Sequence, residues 1–177
     1  MIALHFDTET TGLIKNKTLP LDKQPEIIEF YAALVDLSTS EVLEEFECLI
    51  KPQYGVPEII TKITGLTASD LKDCKSFIHY APEIKSMIEK AEIVISHNAS
   101  FDKGMVDIEF KRIGQTIKWQ RVICTVEQTI HMKGYRLNMQ ALHNLLFGFN
   151  FAEAHRAKND VNALISCTTE LFKRGII

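Results

Sequence analysis

At 177 residues the chain has the length of one compact domain, which ordinarily takes about 100 to 200 residues, and no second large domain fits. Hydrophobic residues make up 46% and charged residues 24%, with only 8 Gly and 5 Pro, so disordered and collagen-like classes are excluded. A net charge of -3 argues against a protein that coats long nucleic acid by non-specific charge alone.

From the N-terminus, Ile2 to Phe6 reads as a buried strand that Asp7-Thr8-Glu9 prolong before Thr10-Thr11-Gly12 break it. A β-branched and aromatic run over Glu26 to Leu37, a polar turn over Asp36 to Ser40 and partial alternation over Val42 to Ile50 predict a β-hairpin. Three successive strands favour antiparallel neighbours over an immediate βαβ unit. Short helices are expected around Glu58 to Lys62 and after Thr67-Ala68-Ser69, and Pro82 can open another to about Lys90. Glu92 to Ser96 reads as a short buried strand. Phe101, Met105, Ile108 and Ile113 then recur at helical spacing, with Ser100 as N-cap and Asp102 in the first turn. Arg121 to Cys124 reads as a last strand, followed by helices over about Val126–Met132, Asn138–Leu146 and Asn159–Lys173. The order predicts an α/β fold, a mixed five-stranded sheet with helices on both faces, in a single domain over residues 1–177.

Apolar runs such as Ile93-Val94-Ile95 are far shorter than the roughly 20 residues of a membrane span, so no membrane association is expected. Asp7 follows Met1 too closely for a secretory signal to fit, which predicts a cytoplasmic location. The four cysteines stand 26 to 50 residues apart without a Cys-x-x-Cys pair and are expected as buried free thiols. Charge is unevenly spread: residues 1–60 carry eleven acids and four bases, residues 61–177 twelve acids and sixteen bases. An acidic cluster facing basic surroundings suits metal-bridged phosphate chemistry, although ordinary scatter of solvated charge gives the same numbers.

Three places concentrate chemistry. Asp7 and Glu9, two apart on an extended strand, point to one side and present two hard oxygen donors to one point. Two adjacent acids on a buried strand are costly to desolvate unless a cation or hydrogen bonds compensate. Asp102 follows the polar stretch Ser96-His97-Asn98-Ala99-Ser100, where its bland role is to favour a helix N-terminus. His155 and Asp160 are separated by about 140° around a regular helix, so His155 must precede the helix if both serve one site. Their bland reading is a surface histidine and a first-turn acid.

The ordered set Phe6-Asp7-Thr8-Glu9-Thr10-Thr11-Gly12-Leu13, His97-Asn98-Ala99-Ser100-Phe101-Asp102 and His155-Arg156-Ala157-Lys158-Asn159-Asp160 resembles the three motifs of the DEDDh exonucleases. That family includes the proofreading subunits and domains of bacterial replicative DNA polymerases. Ile63-Thr64-Gly65-Leu66-Thr67 is similar to the family's segment between hairpin and second motif; Leu66 and Lys158 are small departures from its pattern. The resemblance implies a ribonuclease H-like sheet and a 3′-to-5′ exonuclease that releases nucleoside monophosphates with two Mg²⁺ or Mn²⁺ ions. Asp7 would bridge the ions, Glu9 and Asp160 complete one of them, and Asp102 act on the other, partly through water. His155 would be the general base that takes the proton from the attacking water. His97 is the rival, for which a loop-shaping or substrate-contact role is favoured. Leu13 would wedge near the terminal base, Phe101 pack on the substrate, and Thr8, Thr64 and Asn98 touch the terminal nucleotide.

The implied partners are a single-stranded DNA 3′ end, with RNA as the alternative, and a DNA polymerase; oligomeric state is not legible. The chain ends soon after the last predicted helix, which favours a stand-alone enzyme, or one docking through its own surface, over a subunit tethered by a tail. Two readings of other classes compete: an inactive binding module, against which the intact acids and His155 count, and a structural metal protein, which has no need of a basic group beside the acids.

Overall fold

The computed structural model describes residues 1–152 and 154–177. Its centre is a five-stranded sheet in the order β3-β2-β1-β4-β5, built from β1 (Ile2–Thr10), β2 (Ile27–Asp36), β3 (Glu41–Leu49), β4 (Ile93–Ser96) and β5 (Arg121–Cys124). The first three strands pair antiparallel, as the hairpin pattern predicts, and β1, β4 and β5 run parallel. β1 is therefore central, with β2 on one side and β4 on the other. Ile2, Leu4 and Phe6 reach one face and Ala3 and His5 the other, which is why the strand reads as continuously apolar at its start.

Seven helices complete the fold among the described residues: α1 (Glu58–Thr64), α2 (Ala68–Leu71), α3 (Phe77–Lys90), α4 (Ala99–Arg112), α5 (Thr125–Lys133), α6 (Met139–Phe147) and α7 (Ala157–Lys173). Ile84, Met87 and Ile88 of α3 and Met105, Val106 and Phe110 of α4 close over Leu4, Phe6 and Phe30. On the opposite face, α6 and α7 place Leu142, Leu164 and Cys167 over Ala3 and Ile95, while Val161 meets Tyr31, Ala33 and Val35. Each such large side chain contributes about 1.5–3 kcal/mol by leaving water. All four cysteines are free; Cys48, Cys124 and Cys167 are buried and Cys74 is partly so. His5 lies fully buried beneath β1, where Nε2 meets the Thr168 hydroxyl at 2.7 Å, and burial pushes its pKa down to about 3. No helix of the described residues is long and apolar enough to cross a membrane.

Two helix starts differ from the expected ones, and the last helix takes the slightly earlier start that the sequence leaves open beside a cap at Asn159. The helix assigned to Pro82 begins five residues earlier, at Phe77, and carries Pro82 inside it. The missing N–H releases only the carbonyl of Ile78, which sits where its own side chain is 58% exposed and water can serve it. The cap of α4 is Asn98, not Ser100: Asn98 adopts the left-handed conformation (φ 66°), which its short amide tolerates, and turns the chain from β4 into the helix within two residues. Helix α7 begins at Ala157 rather than Asn159, because the Asp160 carboxylate accepts the N–H groups of His155 (2.7 Å) and Arg156 (3.2 Å) and organises the turn before it. The start of the Asn159 helix thus moves toward the N-terminus, and His155 stays on the entering loop.

Candidate active site

The end of β1 is where the acids gather. Asp7 and Glu9 share the face on which α7 packs, and the first turns of α7 bring Asp160 up to them. One carboxylate oxygen from each of Asp7, Glu9 and Asp160 lies within 4.8 Å of the other two. Neither Asp7 nor Glu9 has a hydrogen-bond donor among the described residues. Burial first, and then the charges of Asp102, Asp160, Glu9 and Glu29, hold the Asp7 carboxyl well above its ordinary range. Glu9 is pushed up to about 8, by burial first and then by Asp160, Glu29 and Asp102, with Arg156 opposing. Asp160 is raised by burial, against the N–H groups of His155 and Arg156. Hard oxygens, close together and repelling one another without donors, fit a divalent cation, which removes both the repulsion and the unmet demand for positive charge.

Asp102 arrives from the other face. Its Oδ1 accepts the Thr8 N–H at 3.1 Å and the Thr8 hydroxyl at 2.8 Å, and Oδ2 accepts the Ser96 hydroxyl at 2.8 Å. Thr8 alternates with Asp7 and Glu9 along the strand, so Asp102 binds the back of the segment whose front carries the other acids. It therefore stands outside the close trio while lining the same cleft. Burial pushes it up to about 6 against the Thr8 and Ser96 hydrogen bonds.

The cleft has a volume of about 380 Å³, and nine of the ten site residues expected from sequence line it: Asp7, Thr8, Glu9, Leu13, Asn98, Phe101, Asp102, His155 and Asp160. Thr64 does not. It is buried at the end of α1, where its hydroxyl donates to the Ile60 carbonyl (3.0 Å) and accepts from the Leu66 N–H (3.1 Å). Phe101 serves two purposes, packing on the α3–α4 core and lining the cleft. Both histidines line the cleft, but they are held differently. His97 has Nδ1 on the Thr125 hydroxyl (2.8 Å) and Nε2 on the Leu137 carbonyl (3.1 Å), and burial drops its pKa to about 4. His155 is exposed, on the cleft, in the left-handed conformation (φ 69°).

Sequence reasoning passed over Glu29 and Arg156. Glu29 faces Glu9 across the β1–β2 ladder and is 1% exposed. Its Oε1 receives Arg156 Nη2 at 2.8 Å and Nε at 3.1 Å, and its Oε2 receives the Ala157 N–H at 3.1 Å. This clip joins the loop of His155 and the start of α7 to the sheet. Arg156 lay inside the third motif, but only the strand register identifies its partner.

A central strand ending in clustered acids, opposed by a helix that supplies another acid and a preceding histidine, defines a metal-dependent nuclease. Residues 4–168 match the family model described as exonuclease (RNase T), and the chain belongs to this exonuclease family. It is 30% identical over 171 residues to the PolC-type DNA polymerase III of Caldanaerobacter subterraneus, covering 94% of this chain and 11% of the polymerase. To the PolC-type polymerase of Staphylococcus epidermidis it is 31% identical over 160 residues, covering 89% of this chain and 10% of that protein. The chain thus spans about a tenth of the length of these relatives. Among solved structures, the nuclease domain of 3′hExo, a DEDDh family member bound to rAMP, superposes with a TM-score of 0.79 at 14% identity, over 98% of this chain and 92% of that one. The Escherichia coli ExoI–ssDNA complex gives a TM-score of 0.79 at 21% identity, over 98% of this chain and 41% of that one. The fold is the ribonuclease H-like one that these nucleases share.

Proposed function

We propose that residues 1–177 act as one exonuclease unit that removes nucleoside monophosphates from the 3′ end of single-stranded DNA, in the service of replication proofreading. The observation that carries this reading is the trio Asp7, Glu9 and Asp160 within one ion's reach at the floor of a cleft that also holds His155. The replicative setting rests on the likeness to PolC-type polymerases over 94% of the chain, and a cytoplasmic polymerase is the corresponding partner.

In this reading Asp7, Glu9 and Asp160 would hold one divalent ion, and Asp102, its oxygens already shared with Thr8 and Ser96, would help to hold a second. Bound there, Mg²⁺ or Mn²⁺ would supply charge neutralisation at the scissile phosphate and acidification of the attacking water. His155 takes the proton of that water. Its exposed imidazole can pass the proton to solvent, whereas His97 has both ring nitrogens engaged and keeps a structural role. Leu13 and Phe101 pack against the terminal base, and Thr8 and Asn98 border its sugar-phosphate. Thr64, held by Ile60 and Leu66, shapes the α1 end without reaching the nucleotide.

The test is digestion of 3′- and 5′-labelled single-stranded DNA and RNA, with Mg²⁺, with Mn²⁺ and with chelator. The expected result is immediate release of labelled mononucleotide from the 3′ label, a shortening ladder from the 5′ label, preference for DNA, and no reaction in chelator. Release beginning at the 5′ end, or digestion indifferent to chelator, overturns the reading; preference for RNA transfers it to an RNA-trimming enzyme of the same chemistry.

A further inference from the structure

A second cavity, of about 480 Å³, lies across Leu13 from the catalytic cleft. Leu13 lines both and is 71% exposed, so it is a ridge between two adjoining hollows rather than a buried wall. The far hollow is formed by the segment between β1 and β2 together with Tyr54, whose ring is 61% exposed. Tyr54 is firmly mounted: the buried carboxylate of Glu26 accepts the backbone N–H groups of Gln53 (2.7 Å) and Tyr54 (3.1 Å). The same hydrogen bonds occupy the charge of Glu26. Lys15 borders the hollow with no ion-pair partner among the described residues, and Lys23 has only Asp22, an exposed residue that also lines the hollow, at 3.8 Å. Gln24, 5% exposed, fixes the segment that forms the hollow, its amide nitrogen donating to the carbonyls of Asn16 (2.8 Å) and Leu19 (3.1 Å).

We infer that this hollow is a subsite for the nucleotide immediately upstream of the one being removed, with Tyr54 as its stacking platform and Lys15 and Lys23 as its phosphate contacts. The inference rests on the exonuclease reading above and extends it to the strand beyond the terminal unit. Continuity selects the occupant: a strand whose last nucleotide lies in the cleft must leave past one of its walls, and this wall is a single exposed side chain with a hollow of nucleotide size behind it. An aromatic face with two nearby ammonium groups is the minimum a base and its phosphate require, and it accepts any base because every base has a face to stack. A rim that carries Lys15 and Lys23 beside an exposed tyrosine suits a nucleotide better than an apolar peptide segment.

The experiment compares a substrate that reaches only the cleft with one that reaches both hollows. The p-nitrophenyl ester of thymidine 5′-monophosphate has no upstream nucleotide, whereas a single-stranded DNA tetranucleotide does. With Mg²⁺ present, Tyr54→Ala should raise KM for the tetranucleotide about tenfold, within what one stacked base contributes, and change KM for the ester less than twofold. Tyr54→Phe, which retains the ring, should restore the tetranucleotide KM. Lys15→Ala should flatten the slope of log affinity against log salt by about 0.7, the value for one phosphate contact on a single strand. A tetranucleotide KM unchanged in Tyr54→Ala, or an ester KM raised equally, overturns the subsite. If the unaltered protein cleaves neither substrate, it is the exonuclease reading that falls.

Discussion

Two groups of carboxylates withdrawn from bulk water, one buried and one partly exposed, occupy this molecule, and they are treated differently. Around the α4 C-terminus, Glu109 accepts the Ile27 N–H at 2.9 Å and Arg112 at 2.8 Å, and Glu26 is capped by the N–H groups of Gln53 and Tyr54. At the end of β1, Asp7 and Glu9 face Asp160 with no donor of their own among the described residues. A carboxylate that serves the fold is given its positive charge by the chain, since burying it otherwise would be costly. A carboxylate left without one keeps that capacity for a cation from outside. Asp102 is intermediate, anchored by Thr8 and Ser96 yet lining the cleft, which suits an acid that acts on an ion through water. Glu29 shows that the contrast is not one of location alone: it adjoins the trio, but Arg156 and the Ala157 N–H engage both of its oxygens.

The sharpest way to break this contrast is Asp7→Ala, for which Mg²⁺-dependent digestion is expected to fall to background while the circular dichroism spectrum is retained. Near-normal digestion by that variant would remove Asp7 from the site. His155→Ala should slow cleavage about 10²-fold or more, the usual contribution of a general base, with Mn²⁺ affinity measured by calorimetry little changed. A rate unaltered near neutral pH would place the proton elsewhere.

Next in size is a break in the clip. Arg156→Ala leaves buried Glu29 with only the Ala157 N–H and no countercharge, and should lower stability by about 2–4 kcal/mol in urea unfolding, toward the lower end of buried-pair losses because Arg156 is 42% exposed. Arg156→Lys should recover only part, since one ammonium cannot reproduce the forked contact. Full stability in Arg156→Ala would show that the clip is decorative.

The unmet charge of the trio predicts an opposite sign of effect on stability. The raised carboxyls of Asp7 and Glu9 mean that the folded protein binds more protons than the unfolded chain between the ordinary carboxylate range and about pH 8. Metal-free stability should therefore fall as pH rises through that window and be restored by Mg²⁺. Asp7→Asn should raise the Tm of the metal-free protein at pH 8 while abolishing its activity. A Tm independent of pH in chelator would contradict the electrostatic account. Smallest is Glu109→Gln on the structural side, with an expected loss of about 1–3 kcal/mol and an unchanged kcat; a changed metal dependence there would erase the distinction between the two groups.

Much of the site was legible before any coordinates. The i, i+2 spacing of Asp7 and Glu9 on a strand, and the requirement that His155 precede the helix of Asp160, are local geometry, and the structure honours both. The helix starts were less legible, because Asn98 in a left-handed turn and Asp160 reaching back to His155 are caps made by unusual backbone conformation rather than by the usual residue at the usual place. Thr64 was assigned to the substrate by likeness of motif, and its hydroxyl turned inward to Ile60 and Leu66.

Period, turn chemistry and composition are properties of neighbouring residues, so the chain by itself determined the α/β order, the hairpin and which acids could share a strand face or a helix turn. Which face of the sheet each acid came from, that Asp102 binds Thr8 from behind, that Glu29 is clipped by Arg156, and that a second hollow opens across Leu13 were decided only in three dimensions. The Glu29–Arg156 pair alone joins residues 127 positions apart, and a contact of that kind exists only once strand register and helix packing have brought its two halves together.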